Sequence, residues 1–334
     1  MRILIESKSY ENYLAKCHEA LRTGLRALFD TRCFGRGYAG YRPFLRTYDG
    51  IVKHVFGAAT PDVVLADNFY PFDLRGFKYE GFERLSCSKG FILGDYWYVT
   101  EDKRDQFIDF VLGSKSDFII SLFPQPLELF KDSPIADLLV YMPPCFDPSI
   151  FNDWQMPKEY DVGFLAAGTA EPSPDYPERS RIHQRLLKKG IRYLWAAHPG
   201  WGKAAAKHPL VGAGYSRAIN SCKMFVTTSG RWRNPNAKYI EILASRSLLL
   251  ADEPVGAGGL GFEDGRNYVR ISEDDVEEKI DYFMKHPGVA DAIATRGYHL
   301  ALKHHNCYAR AVEFYEALAP KLDAKSASHE RGLR

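Results

Sequence analysis

Short apolar runs alternate with helical segments from the start of the chain, and this alternation limits the possible folds more than any other feature. Each run has five or six residues and is rich in branched side chains, which is typical of strands buried on both faces. The runs of the first half are RILIE (2–6), DVVLAD (62–67), GFILGD (90–95), DFIIS (117–121) and LLVYM (138–142). Amphipathic segments such as 10–29 and 101–112 lie between some of them. We therefore predict a parallel sheet covered by helices on both faces.

A proline-rich segment, MPPCFDPSIFNDWQMPKEY (142–160), interrupts the alternation and indicates a linker. Beyond it, strands are predicted at 160–167, 191–197, 223–228 and 247–251, and helices at 178–189, 214–222, 235–246, 273–286 and 288–317. A chain of 334 residues is long enough for two domains of ordinary size. We predict an α/β protein with two doubly wound, Rossmann-like domains, 1–145 and 146–318, and a flexible tail at 319–334. The last helix is able to return to the first domain.

The composition is that of a globular protein, with 46% hydrophobic and 26% charged residues. The net charge of +2 means that a polyanionic partner would require a local basic patch. The start of the chain does not resemble a signal peptide, and no apolar run is long enough to span a bilayer. Six cysteines without a CxxC pair indicate reduced thiols, so a cytoplasmic protein without a zinc site is expected.

Three predicted strands of the first domain end in a carboxylate: Glu6, Asp67 and Asp95. Ligands of doubly wound sheets bind outside the carboxyl ends of the strands, so these acids are the candidate catalytic bases. Asp95 is favoured because Gly94 permits close backbone approach and an aromatic run follows it. The alternative is that each acid only caps the loop after its strand.

The segment GAGGLG (256–261) matches the dinucleotide-binding fingerprint in its letters but not in its context. The fingerprint requires a strand before it and a helix after it, so that a pyrophosphate meets the helix N-terminus. The residues that follow, FEDGRNYVRI, predict a turn and a strand instead. An NAD-dependent enzyme is therefore not expected.

A better anion site lies where the predicted strand 223–228 leads through SGRWRNPN (229–236) into a helix. Asn234 is the predicted N-cap, with Pro235 in the first helical position. Backbone N–H groups at the helix start and nearby cations favour an anion there. The residues assigned to this site are Ser229, Gly230, Arg231, Arg233, Lys238 and, one turn deeper, Glu241. For each arginine alone, a solvated loop charge is the alternative.

Residues 22–48 combine six arginines with six aromatic residues. Basic side chains between aromatic ones bind phosphates and stack on bases, so this segment is a candidate acceptor site for DNA, including a flipped base. An anionic glycan or a lipid phosphate would suit the same residues, and a solvated helix face with a packed loop is the structural alternative. The residues assigned to acceptor binding are Arg36, Tyr38, Arg42 and His18.

Several segments of the second half form a recognisable set: PPCFDPSIF (143–151), YDVGFLAAG (160–168), GYSRAINSCKMFV (214–226), KYIE (238–241) and GFEDG (261–265). Together they resemble the C-terminal domain of group-1 GT-B glycosyltransferases and, among these, the spore-maturation CgeB-like proteins. The resemblance covers roughly residues 140–317, whereas the first half is similar only in pattern. It implies a GT-B fold, in which two Rossmann-like domains face a central cleft.

The resemblance also implies roles for individual residues. Glu241 matches the glutamate that binds the nucleotide ribose, and Lys238 takes the place of an arginine near the diphosphate. Gly168 lies in the donor-facing loop, and Asp264 lies in the Phe-x-Asp-Gly turn. Arg233 stands where many retaining relatives carry a glutamate that contacts the donor sugar. Lysine in place of arginine gives up a bidentate phosphate contact.

The function implied is transfer of a sugar from a nucleotide-sugar, with a UDP-sugar as the expected donor, to a glycan, a small molecule or a modified nucleic-acid base. Cations and helix N–H groups would stabilise the leaving diphosphate without a metal, and no cofactor is expected. An inverting enzyme needs a base near the acceptor hydroxyl, whereas a retaining enzyme can use the leaving phosphate. Two alternatives remain: a GT-B epimerase or phosphorylase, and a nucleotide-sugar or nucleic-acid binding protein without activity.

Overall fold

The first sheet is built from the N-terminal half of the chain. Its strands are β1 (Arg2–Glu6), β2 (Asp30–Phe34), β3 (Val63–Ala66), β4 (Ser88–Leu93), β5 (Phe118–Ser121) and β6 (Leu139–Tyr141). They are parallel and lie in the order β2-β1-β3-β4-β5-β6. Helices of this half are α1 (Cys17–Leu28), α2 (Tyr48–Phe56), α3 (Arg104–Ser114) and α4 (Gln125–Leu129). The computed structural model describes residues 1–11, 17–67, 77–94, 96, 103–199 and 207–332.

The central strands of this sheet are apolar because helices cover both faces. Alternate side chains of β1 point to opposite sides, so Leu4 packs with Ile51 of α2, whereas Ile3 and Ile5 pack with Leu25 of α1. The chain passes from β1 to β2 on one side and continues from β3 on the other. The sheet is therefore doubly wound, with its switch point between β1 and β3.

The second sheet follows the proline-rich segment. Its strands are β7 (Tyr160–Phe164), β8 (Tyr193–Trp195), β9 (Cys222–Thr227), β10 (Leu248–Ala251) and β11 (Val269–Arg270). They are also parallel and lie in the order β11-β10-β9-β7-β8, which places the switch point between β7 and β9. The helices are α5 (Pro177–Lys188), α6 (Ala213–Asn220), α7 (Ala237–Ala244), α8 (Val276–Lys285), α9 (Pro287–His304) and α10 (Cys307–Gly332).

The chain separates into two compact units, each with one of the sheets. The N-terminal unit comprises Met1–Tyr10, Leu21–Pro143 and Arg310–Arg334, and the C-terminal unit comprises Glu11–Ala20 and Pro144–Ala309. None of the helices in the described ranges is long and apolar enough to cross a membrane.

Two elements of the N-terminal unit, β2 and α2, are not predicted by the sequence pattern. β2 lies at the edge of the sheet, and its exposed residues Asp30 and Arg32 pair with each other, so the strand lacks an apolar run. α2 begins after Thr47, whose hydroxyl accepts a hydrogen bond from the Gly50 N–H at 3.1 Å. Both elements lie in or next to the segment that the sequence analysis interpreted as a basic, aromatic surface.

The last predicted helix, 288–317, is two helices. The side-chain oxygen of Asn306 accepts hydrogen bonds from the N–H groups of Tyr308 and Ala309 at 2.8 and 2.9 Å, and this cap starts α10. α10 continues to Gly332, so residues 319–332 are helical and do not form the loose tail that the sequence suggested.

The glycine-rich segment 256–261 contains a short 3-10 turn, Gly258–Leu260, and leads to β11. The prediction that a turn and a strand, and not a helix, follow this segment directly is therefore confirmed.

A ladder of ion pairs joins α5 and α8. Its three rungs are Arg181 with Glu273, Arg185 with Glu277 at 3.2 Å, and Lys189 with Asp281 at 2.8 Å. Lys189 is the C-cap of α5, and Glu273 lies three residues before α8. Successive rungs are four residues apart in both segments and ascend in the same direction, so α5 and α8 run parallel.

Replacing Glu277 by lysine is expected to lower the free energy of unfolding by about 1 kcal/mol, because it turns the middle rung into a repulsive pair. The double exchange Arg185→Glu with Glu277→Arg should restore most of this loss, and salt at about 1 M should reduce it. Denaturant titration measures the effect. Glu278→Lys, at the exposed neighbouring position, is the control. An equal loss in both lysine variants would contradict the pairing.

Candidate donor-binding site

A pocket with an empty volume of about 620 Å³ opens in the C-terminal unit. Its walls come from the residues after β7 and β8, from the start of α6 and from one face of α7. The lining residues that bear on its chemistry are Leu165, His198, His208, Tyr215, Lys238 and Glu241. The pocket thus lies beside the switch point between β7 and β9, where doubly wound sheets bind ligands.

The helix that supplies Lys238 and Glu241 begins two residues later than predicted. The N-cap of α7 is Asn236 and not Asn234, because Asn236 is still extended, with φ −71° and ψ 162°. Its side-chain oxygen accepts a hydrogen bond from the Lys238 N–H at 3.1 Å. The N-terminal turn of α7, with its uncompensated N–H groups, therefore starts next to the loop after β9.

Lys238 is half-buried against the pocket wall. Its Nζ donates to the carbonyl oxygen of Leu165 and to the hydroxyl of Tyr215, both at 3.1 Å, and lies 4.6 Å from the centre of the Tyr215 ring. These contacts hold a positive charge in the first turn of a helix, where the helix dipole disfavours a cation. An anion in the pocket would offset that cost.

Glu241 lies on the same face of α7, one turn further along, and is only 9% exposed. Burial raises the pKa of its carboxyl to about 7, although the Lys238 charge acts in the opposite direction. No hydrogen bond to its carboxylate is formed within the described part of the chain. A buried acceptor of this kind can receive hydrogen bonds from hydroxyl groups of a ligand.

His198 is a further titratable group of the pocket. Burial and the nearby charges of Lys238 and Arg179 lower its pKa, so the imidazole is held neutral at ordinary pH. From the sequence, His198 is a minor candidate for the base and is not a donor-site residue, since a lone loop histidine is more often structural.

The two glycines assigned to the donor site lie in the loops at the switch point. Gly168, in the loop after β7, has φ 79°, and Gly230, in the loop after β9, has φ 73°. A Cβ at Gly230 would lie 2.4 Å from the carbonyl oxygen of Asp175. Both backbones are in the left-handed region, and the second is also packed too closely for a side chain.

The expected role of Ser229 requires a correction. Its N–H donates to the Asp252 carboxylate at 2.7 Å, and its hydroxyl donates to the same carboxylate. The N–H of Arg231 donates to the carbonyl oxygen of Asp175 at 2.9 Å. These groups anchor the loop within the C-terminal unit, and neither Ser229 nor Arg231 lines the described pocket.

The two loop arginines and Asp264 lie on the surface. The Arg231 side chain is 3.3 Å from Asp175, and Arg233 donates to the carbonyl oxygen of Glu253 at 2.9 Å. The Asp264 carboxylate accepts a hydrogen bond from the Arg270 N–H at 2.7 Å and so shapes the turn before β11. None of the three is a lining residue of the described pocket.

The acids proposed as bases lie at the switch point of the first sheet, apart from Asp95, which lies outside the described residues. Asp67 forms an ion pair with the buried Arg22 and accepts a hydrogen bond from the Ser7 hydroxyl at 3.2 Å. Glu6 is 1% exposed, with the Tyr48 hydroxyl 3.5 Å away.

The residues assigned to acceptor binding have different environments. Tyr38 accepts a hydrogen bond from Arg22 at 2.7 Å, Arg36 and Arg42 are exposed, and His18 is half-buried in the first turn of α1. Much of the aromatic content of 22–48 belongs to the core, where Phe34 and Tyr48 are fully buried. Packing therefore accounts for part of the pattern that suggested base stacking.

Three residues that shape the site were not found by sequence analysis: Arg179, Tyr215 and Asp252. Asp252 follows β10 directly, so the rule for strand-ending acids, applied to the second domain, would have selected it. Arg179 acts through contacts with residues distant in sequence, and no local pattern marks it. Tyr215 lies in the segment 214–226 that carries the resemblance, but its contact with Lys238 joins residues distant in sequence.

Comparisons with known proteins bear on the family and the fold of the chain. Residues 179–316 match the family model of glycosyl transferase-like proteins. HepE from Anabaena, solved with UDP-glucose, has 12% identity and a TM-score of 0.62 over 96% of this chain and 100% of HepE. Sucrose-phosphate synthase from Thermosynechococcus elongatus has 12% identity and a TM-score of 0.58 over 97% of this chain and 99% of its own.

TarM from S. aureus has 13% identity and a TM-score of 0.55 over 76% of this chain, which spans about half of TarM (54%). No curated protein matches the chain in sequence. The two parallel sheets and these structural similarities define the fold as GT-B, as the sequence resemblance implied.

Proposed function

We propose that this chain is a glycosyltransferase that takes its sugar from a nucleotide-sugar bound in the pocket of the C-terminal unit. The observation that carries the proposal is that Lys238 and the buried Glu241, one turn apart on α7, line the same pocket at a topological switch point. The family match includes both residues.

The donor proposed is a UDP-sugar, since HepE, which has the same fold, was solved with UDP-glucose. In this proposal the start of α7 and Lys238 receive the diphosphate, and Glu241 accepts hydrogen bonds from the ribose hydroxyls. Positive charge at this position stabilises the diphosphate as the bond to the sugar breaks, so no metal is required. The motif at 238–241 further suggests the CgeB-like group within these enzymes.

The three candidate bases differ in availability. Asp67 is bound to Arg22, and we assign it to holding the loops after β1 and β3 together. Glu6 and Asp95 remain the candidates for activating the acceptor hydroxyl.

For the acceptor we propose a glycan or a small molecule and not DNA, since Arg22, Phe34 and Tyr48 of the basic, aromatic segment are buried. Single- or double-stranded DNA is expected to give no mobility shift at about 0.1 M salt. At that salt concentration, a protein that made several contacts to phosphates would still bind DNA. A shift that disappears in Arg36→Ala with Arg42→Ala would contradict this assignment. The cysteine usage agrees with a reducing compartment, and we propose a cytoplasmic location.

Lys238→Met is expected to weaken UDP binding about 10- to 100-fold, because a charge-assisted contact to the diphosphate is lost while the apolar stem is kept. Isothermal titration with UDP, GDP, ADP and TDP measures the affinities and identifies the base. Lys285→Met, on the exposed side of α8, is the matched control and should bind like the wild type. If the wild type binds none of the four nucleotides, the donor site is not where we place it.

A further inference from the structure

Arg179 joins the two loops at the switch point of the second sheet. From the first turn of α5, its Nη1 donates to the carbonyl oxygen of Ala167 at 3.0 Å. Its Nε and Nη2 donate to the hydroxyl and the carbonyl oxygen of Thr228 at 3.0 and 2.6 Å. Ala167 follows β7 and Thr228 follows β9, so one guanidinium spans the switch point.

The same loops hold the groups that face the pocket. The Thr228 carbonyl oxygen also accepts a hydrogen bond from the Asn236 side chain at 3.2 Å, and Asn236 caps α7. The Lys238 Nζ donates to the carbonyl oxygen of Leu165, two residues before Ala167. A change in either loop therefore moves the cap of α7 or the side chain of Lys238.

Stability alone gives no reason for an arginine at this position. The side chain is 2% exposed, and within the described residues no carboxylate lies at ion-pair distance from it. Its guanidinium carbon lies 3.4 Å from the centre of the Tyr176 ring. A buried charge without a paired acid is costly, and it is retained where it serves a site.

The position of this charge also points to an anion. Arg179 and Lys238 both lower the pKa of His198, so their fields overlap in the pocket. Because the guanidinium is almost fully enclosed, it does not reach a ligand directly and acts through the loops it holds.

We propose that Arg179 is a positioning residue that fixes the loops after β7 and β9 so that the start of α7 and Lys238 are arranged for a diphosphate. This inference rests on the proposed function. It separates two sets of contacts in the proposed complex. Contacts of the diphosphate with the start of α7 and with Lys238 depend on Arg179, whereas contacts of the nucleoside with Glu241, one turn deeper, and with the rest of the pocket wall depend on it much less.

The test compares UDP with uridine, or the diphosphate and nucleoside of whichever base the wild type prefers. Arg179→Lys keeps the charge but loses the planar fork, so it cannot hold both loops at once. Affinity for the diphosphate is expected to fall at least about tenfold, since small displacements of charged contacts have large effects. Affinity for the nucleoside should change less than about twofold. Arg181→Lys, on the same helix and exposed, should change neither.

A second variant distinguishes a loss of loop positioning from a general folding defect. Thr228→Val removes only the hydroxyl that receives the Arg179 Nε and should lower diphosphate affinity about threefold without affecting the nucleoside. Equal weakening of both ligands in the two variants would show a general structural role and overturn the inference. Unchanged diphosphate affinity in both would overturn it as well. A wild type that binds no nucleoside diphosphate would instead overturn the proposed function, and this inference with it.

Discussion

Replacing Asp252 by alanine is expected to lower the free energy of unfolding of the C-terminal unit by about 4 kcal/mol. The Asp252 carboxylate accepts hydrogen bonds from the N–H and hydroxyl of Ser229 and, at 2.6 Å, from the hydroxyl of Tyr239. Ser229 is 3% exposed, so water cannot replace the acceptor that its N–H and hydroxyl lose, whereas the Tyr239 hydroxyl keeps the Asp252 carbonyl oxygen, 2.9 Å away, as a partner. Each buried donor without a partner costs about 1–3 kcal/mol.

The loss should be graded across related variants. Tyr239→Phe removes one donor together with its need for a partner and should cost only about 1 kcal/mol. Asp274→Ala, at a position 95% exposed, should be within about 0.5 kcal/mol of the wild type. Four of the five tryptophans, at positions 154, 195, 201 and 232, lie between residues 144 and 309. Tryptophan fluorescence during denaturant titration therefore reports mainly on this unit.

The Asp252 network also connects stability with the site. Ser229 begins the loop that leads to α7, and Tyr239 lies on α7 between Lys238 and Glu241. Loss of the carboxylate should therefore weaken nucleotide binding even in molecules that remain folded. An Asp252→Ala protein with wild-type stability would show that water or neighbouring groups replace the acceptor.

The strands that the sequence predicts well are those buried on both faces. β3, β5 and β10 are fully buried along their whole length, and each appears in the sequence as an uninterrupted apolar run. β2 was missed for the opposite reason, since it lies at the sheet edge with polar side chains toward solvent. Burial, more than intrinsic strand preference, determines which elements a pattern can show.

The candidate site was predictable where local rules apply. Lys238 and Glu241 were selected because a strand, a glycine-containing loop and a helix start follow one another in sequence. The rule for strand-ending acids also placed Glu6 and Asp67 at the carboxyl ends of β1 and β3. The ion pair between Asp67 and Arg22, however, joins residues 45 positions apart in sequence. The role of Arg179 likewise depends on contacts 12 and 49 residues away, which no sequence window contains.

Replacing Glu241 by glutamine is expected to stabilise the protein above neutral pH while weakening nucleotide binding. Burial raises the pKa of Glu241 from 4.5 to about 7 in the folded state. Between these values the folded chain keeps a proton that the unfolded chain releases, so ionisation lowers the free energy of unfolding as pH rises. The difference corresponds to about 3 kcal/mol at about 1.36 kcal/mol per pH unit.

Glutamine resembles the protonated acid in size and polarity but does not ionise. The stability advantage of Glu241→Gln should therefore be near zero at pH 4, grow through pH 4.5 to 7, and reach about 3 kcal/mol at pH 8. Denaturant titration at several pH values measures it, and Glu278→Gln, at an exposed position on α8, should show no such trend.

The nucleotide affinity of the wild type should increase over the pH range in which its free energy of unfolding falls. If the carboxylate accepts the ribose hydroxyls, UDP affinity of the wild type should rise with pH until about 7 and then level off, whereas the affinity of Glu241→Gln should be lower and flat. The wild type would then tolerate a destabilising buried charge because the ligand uses it, a known trade between stability and activity. A pH-independent stability difference would mean that Glu241 is ionised at no cost, and parallel affinity curves for the two proteins would remove it from the donor site.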